Sequence, residues 1–159
     1  MKKLIVLLLV VATGFSCGPS KTVQQSRKVL KGYWNLDNIS YDRAGTYKVT
    51  LLNDASADCF EGSTWRFIPN NNTGNYTIDN PDCPTGERNF RFSIAEVDAN
   101  SGLYDFMLKP TDAKGKSADN SGVRIRLAHL DDNSMRWEQT VSMDGSPFTI
   151  TMSFSKIQD

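Results

Sequence analysis

Histidine occurs once in the 159 residues, at position 129, and that scarcity removes much chemistry at the outset. A metal centre needs several His, Cys, Asp or Glu side chains converging. No Cys-x-x-Cys spacing exists, and no cysteine has a histidine near it in sequence. A nucleophile needs an adjacent base, and no serine or cysteine signature surrounds His129. The acidic pairs Asp131-Asp132 and Asp79/Asp82 fall in turn segments, where aspartate favours the turn itself. Gly-rich phosphate loops are missing too: "DNSGVRIR" and "DANSGLY" read as turns leading into strands. Neither sign of charge is in excess, with 18 basic and 18 acidic side chains, so nothing favours nucleic acid as a partner. The longest apolar run, "LIVLLLVVA" at residues 4–12, is too short for a resident transmembrane helix. The expectation is a non-enzymatic monomer without metal or cofactor.

What is present begins with that short run. Lys2 and Lys3 precede it and "TGFSC" follows it, the layout of a secretory signal. "Gly14-Phe15-Ser16-Cys17" resembles the lipobox at which bacterial lipoproteins are cleaved and lipidated, although Gly14 stands where Leu is usual. The expectation is therefore a signal peptide at 1–16 and an acylated Cys17 that holds the protein on a membrane of the cell envelope. No acidic run follows Cys17, which leans towards the periplasmic face. Residues 17–29 lack aromatics and hold a single aliphatic side chain beyond Cys17 and before Val29, that of Val23, so they read as a flexible tether.

From residue 30 to 159 the dominant period is two. "PFTITMSFS" sets Phe148, Ile150, Met152 and Phe154 on one face and hydroxyl side chains on the other, the signature of a half-buried strand. "TWRF", "YTI", "FRFSI", "LYDFML" and "MRWEQTV" repeat the pattern. So does "TYKVTLL", through Tyr47, Val49 and Leu51. In "VRIRLAH" the inward phase of Val123, Ile125 and Leu127 would carry His129 inward as well. Turn signals such as "PNNNTG", "DDNS" and "DGSP" separate the runs. About eight or nine short antiparallel strands make a sandwich or a barrel. The polar stretch at 111–122 reads as a lid over an open mouth or as a simple connection.

Cys59 and Cys83 remain in an exported chain, where disulfides persist. Folding the hairpin around "NNNTG" about Asn71 sets the two cysteines opposite one another at its far end. Closing that loop would stabilise the fold by about 3.5 kcal/mol in the chain-entropy model.

The first segment of the domain, "LKGYWNLDNI", holds Gly32 and Trp34, and here the chain resembles the lipocalin family and its small bacterial lipoproteins. The closing stretch from Leu130 to Ile157 is similar to their last hairpin, which ends in a basic residue, and "CFEGSTWRFIPNNNTGNYTI" to a middle one. The family's Thr-Asp-Tyr signature and the helix after its barrel have no counterpart. The resemblance implies an all-β, up-and-down antiparallel barrel with Trp34 plugging one end. It also implies an arginine packed over that indole, for which Arg124 and Arg136 are the candidates. Trp65, Phe67, Tyr76, Phe90, Phe92, Tyr104, Phe106, Trp137 and Phe148 would then face the interior. They would either line a cavity for one small hydrophobic ligand or fill a solid core.

Overall fold

The computed structural model describes residues 21–94 and 104–158. The signal peptide, Cys17 and the start of the tether lie outside them. A helix, α1 (Lys21–Leu30), precedes strand β1 (Gly32–Tyr41). A long connection follows, containing the short strands β2 (Thr50–Leu51) and β3 (Ala55–Ser56) and a single helical turn, α2 (Ala57–Phe60). Seven further strands complete the chain: β4 (Thr64–Ile68), β5 (Thr73–Ile78), β6 (Gly86–Ile94), β7 (Tyr104–Thr111), β8 (Val123–Leu130), β9 (Ser134–Met143) and β10 (Ser146–Lys156).

Eight of the strands form one closed antiparallel barrel in the order β1-β10-β9-β8-β7-β6-β5-β4. Every neighbour pairs with the next by an up-and-down hairpin, and β1 closes the ring by pairing with both β10 and β4. Closure leaves no strand edge open in the ring, which is how an all-β chain avoids edge-to-edge association. The registers define two ends. Gly32 lies opposite Phe67 and Trp34 opposite Lys156, so α1 and the connections 69–72 and 131–133 share one end. The connections 42–63, 79–85, 112–122 and 144–145 share the other.

Alternation holds along β10, where Phe148, Ile150, Met152 and Phe154 are buried and Thr149, Thr151 and Ser153 are half-exposed. It breaks where a register shift inserts a residue. In β1 the shift between Leu36 and Asn38 moves the buried phase from Trp34 and Leu36 to Ile39. In β8 a shift after Leu127 turns His129 out into solvent. The inward position expected for His129 is thus corrected, because one extra residue flips the face of everything after it.

Two other expectations change. The tether is ordered from Lys21 onward: α1 buries Val23 and Leu30, seven residues apart on one helical face, and Leu30 joins the barrel core. The run "TYKVTLL" keeps its alternating burial, but only Thr50 and Leu51 pair, and they pair with β3 outside the barrel. Gly74 and Gly32 are both demanded by the backbone. A Cβ on Gly74 would collide with the Arg66 carbonyl and the Phe90 ring, and Gly32 adopts φ 116°, open to glycine alone.

Candidate functional site

The interior is the natural place to look for a site, and aromatic rings occupy it. Trp65 of β4 is fully buried at the centre. Its ring lies 4.5 Å from that of Tyr76, 5.3 Å from Trp137 and 5.8 Å from both Phe90 and Phe154. Trp137 in turn sits 4.5 Å from Phe154 and 5.0 Å from Phe106, while Phe67 touches Phe90, Phe92 and Trp137 within 5.7 Å. Edge-to-face and tilted contacts at such distances add to the gain from burial alone.

Seven of the nine interior residues expected from sequence therefore meet in one network. The other two are buried elsewhere. Phe148 joins Tyr41 and Tyr47 at the opposite end from α1. Tyr104 lies beneath α1, at the edge of a void of about 10 Å³ lined also by Leu30, Phe92, Ile94, Phe106 and Leu127. A single water is the most such a space could hold. Sequence reasoning missed Phe60, which fills the core from the one-turn helix α2. Its neighbour Cys59 was the available signal, since a half-cystine beside a bulky apolar residue marks a segment tied down onto the fold.

Trp34 seals the α1 end. Its Nε1 donates to the Leu30 carbonyl at 2.9 Å, joining strand to helix. The cation over the indole is Lys156, with Nζ 5.0 Å from the ring centroid, and not Arg124 or Arg136. Those two side chains point outward from β8 and β9, whereas Lys156 lies directly opposite Trp34 in register. The same Nζ donates to the Val29 carbonyl at 2.6 Å, so it also satisfies one of the last carbonyls of α1.

The other end is closed by the connection 42–63, which acts as a lid. Leu51, Leu52, Ala55, Ala57 and Phe60 turn inward from it. Asp54 accepts a hydrogen bond from the Tyr76 hydroxyl at 2.8 Å and pairs with Arg88 at 2.9 Å. Burial first, and then this bond to a carboxylate, push the Tyr76 phenol far above its ordinary range. Cys59 and Cys83 form a disulfide that fastens α2 to the β5–β6 connection. The expected pairing holds although Trp65 sits opposite Tyr76, half a residue from the fold point read in the sequence. Leu52 and Asn53 at the lid tip take φ of 53° and 55°. For leucine that conformation costs about 1–3 kcal/mol and persists only where the surroundings impose it. The stretch 111–122 borders open grooves of about 580 and 240 Å³, the larger of which it shares with Leu52 and Asn53 of the 42–63 lid.

His129, Asp131 and Ser134 cluster at the β8–β9 turn, yet they form no relay. One nitrogen, Nε2, contacts both Asp131 Oδ2 at 2.9 Å and Ser134 Oγ at 3.0 Å. A relay would need the carboxylate on one ring nitrogen and the hydroxyl on the other. The Asp131 carboxyl lies well below the usual carboxylate range, held there by the backbone N–H groups of Asn133 and Ser134 and then by His129. That is the chemistry of a turn.

A family model described as a lipocalin-like domain matches residues 30–137. The chain belongs to the lipocalin-like family. A solved lipocalin-like protein from Bacteroides uniformis shares the fold with a TM-score of 0.50 and 12% identity, over 81% of this chain and 99% of that one. No curated protein sequence matches. Within this lipocalin-like barrel, the Trp137 Nε1 donor and the Tyr104 hydroxyl find no hydrogen-bond partner among the described residues. Burial raises the Tyr104 phenol above its ordinary value. Ser26 and Arg27 of α1 offset part of that rise without reaching hydrogen-bond geometry.

Proposed function

We propose that this protein is a lipid-anchored, non-enzymatic lipocalin-like block of the bacterial envelope, held by acyl chains on Cys17, that works through its outer surface. The observation that carries this reading is the filled interior. Trp65, Phe67, Tyr76, Phe90, Phe92, Phe106 and Trp137 are each at most 6% exposed and lie ring against ring. Ligand sites are concave, mostly apolar cavities of hundreds of Å³, and a core packed in this way leaves the barrel as a scaffold. The anchor is supported by the lipobox-like "GFSC" after a charged and apolar leader. Among the described residues, no helix is long and apolar enough to cross a membrane. The periplasmic face is the proposed location.

A second reading, a carrier of one small hydrophobic molecule, is favoured by the two orphaned donors. A buried indole N–H and phenol without partners cost about 1–3 kcal/mol each, and a ligand bearing an acceptor would relieve that cost. Titration with a fluorescent fatty acid, followed through the tryptophans, separates the readings. No saturable change is expected; one-to-one quenching would establish the carrier. For the anchor, Cys17→Ala should move the protein from the membrane to the soluble periplasmic fraction. An unchanged membrane fraction would sink that part of the reading.

A further inference from the structure

The anchor and the fold together fix which end of the barrel meets the bilayer. Three residues separate Cys17 from Lys21, the first residue of α1. Four Cα steps span at most roughly 14 Å when fully extended. The interfacial layer on each side of a bilayer is itself about 6 Å thick. Helix α1 is not a loose extension of that tether. Trp34 Nε1 bonds to Leu30, Lys156 Nζ bonds to Val29, Leu30 is buried in the barrel core, and Val23 is buried as well. The barrel therefore cannot wander from the membrane on a thirteen-residue leash; its α1 end is held against the headgroups.

The charge and exposed apolar groups at that end fit such a surface. Residues 21–31 contain four basic side chains and no acidic one. Lys28 and Lys31 are exposed. Beside them, Tyr33 and Ile157 are two of the three large apolar residues exposed among the described ones, at 39% and 40%. They are neighbours: the Ile157 N–H donates to the Tyr33 carbonyl at 2.9 Å, and the Arg66 guanidinium lies 5.4 Å over the Tyr33 ring. Carboxylates are present at this end too. Counted over the described connections 21–31, 69–72, 131–133 and 157–158, they are Asp131 and Asp132, against four basic side chains. The opposite end differs. Its connections 42–63, 79–85, 112–122 and 144–145 hold nine acidic side chains against four basic. An anionic surface attracts clustered Lys and Arg and repels such an acidic end.

We infer that the α1 end, through Lys28, Lys31, Arg66, Tyr33 and Ile157, is a docking surface for anionic lipid headgroups that holds the barrel upright on the membrane with its acidic lid facing away. This rests on the lipid-anchor reading, and the experiment tells the two apart. Full-length lipidated protein carrying a fluorophore at Gln25→Cys, an exposed α1 position outside the docking set, or, separately, at Asp144→Cys is reconstituted into vesicles of phosphatidylcholine alone or with 30% phosphatidylglycerol, a nitroxide lipid serving as quencher. Flotation reports the anchor, and quenching reports orientation. The expected result is flotation of both proteins, with position 25 quenched at least threefold more than position 144 in the anionic vesicles. That ratio should shrink in phosphatidylcholine. It should also shrink in a Lys31→Glu, Arg66→Glu background that still floats. Failure to float would remove the anchor and the docking with it. Flotation with the same ratio in both vesicles and in the charge-reversed background would overturn the docking alone, and would assign the Tyr33–Ile157 face to a protein partner.

Discussion

The two ends of the barrel are closed by different physics. At the α1 end an indole, a helix and one ammonium group pack into the core, and the helix is continuous with strand β1. At the lid end a strained loop is pinned from outside by a disulfide and by the Asp54–Arg88–Tyr76 contacts. The first closure is part of the cooperative core. The second is a cover fastened at discrete points, and segments of that kind open at lower free energy than the fold they rest on. An end meant to stay shut can be built from burial, whereas a cover over a ring of short connections has to be stapled.

This contrast is broken most forcefully at Trp34. Replacing a fully buried tryptophan by alanine costs about 3–5 kcal/mol, so Trp34→Ala should lower the denaturant midpoint of the entire barrel, and hydrogen exchange should rise in every strand. Local exchange limited to α1 would show that the α1 end is a cap as separable as the lid. Removing the staple should have the next largest effect. The double variant Cys59→Ser, Cys83→Ser should lose about 3.5 kcal/mol on chain-entropy grounds, with the first amides to gain exchange lying in 50–60. If reducing agent leaves the melting temperature of the wild-type protein untouched, the staple contributes nothing.

Asp54→Ala sharpens the same contrast at lower cost. It leaves the Tyr76 hydroxyl without its acceptor, a penalty of about 1–3 kcal/mol for a largely buried group, and takes the carboxylate from Arg88, whose guanidinium still donates to the Gly86 and Pro84 carbonyls. With the disulfide intact, the effect should be confined to the lid. Exchange of the amides around Leu52 and Asn53 should accelerate several-fold while the melting temperature moves by only a few degrees. A global loss equal to that of Trp34→Ala would mean that the lid is core rather than cover.

Which of these features could be read in the sequence follows from how local each one is. The face of β10 was legible because Phe148, Ile150, Met152 and Phe154 alternate without interruption. The disulfide was legible because a tight hairpin fixes what lies opposite what. Helix α1 was not, because its two buried residues, Val23 and Leu30, straddle the apparent boundary between tether and domain, and neither half shows a period alone. His129 escaped because a bulge has no residue signature in an otherwise regular strand. In "TYKVTLL" the period reported which side chains face inward, but it could not report that most of that backbone has no partner strand. The interior aromatics were legible as inward-facing. Whether they surround space or one another depends on three-dimensional packing, and a one-dimensional pattern does not contain that information.

The smallest expected effect lies at the β8–β9 turn and is a pH dependence. Asp131 is exposed, and its carboxylate accepts the backbone N–H groups of Asn133 and Ser134 at 2.8 and 2.7 Å. These bonds hold its folded-state pKa below the unfolded value. A depressed carboxyl contributes stability that is fully present above the unfolded pKa, near 4, and that fades as pH falls below it. Asp131→Asn removes the charge at every pH. The variant should therefore melt slightly below the wild type at neutral pH, and the gap should close progressively below about pH 4, where the unfolded wild-type chain takes up a proton that the folded one resists. Thermal melts followed by circular dichroism from pH 7 to pH 2 measure that gap directly. A gap that stays constant across the range would mean that the Asp131 carboxyl takes up its proton alike in the folded and the unfolded chain, and that its charge adds nothing to the stability of this turn.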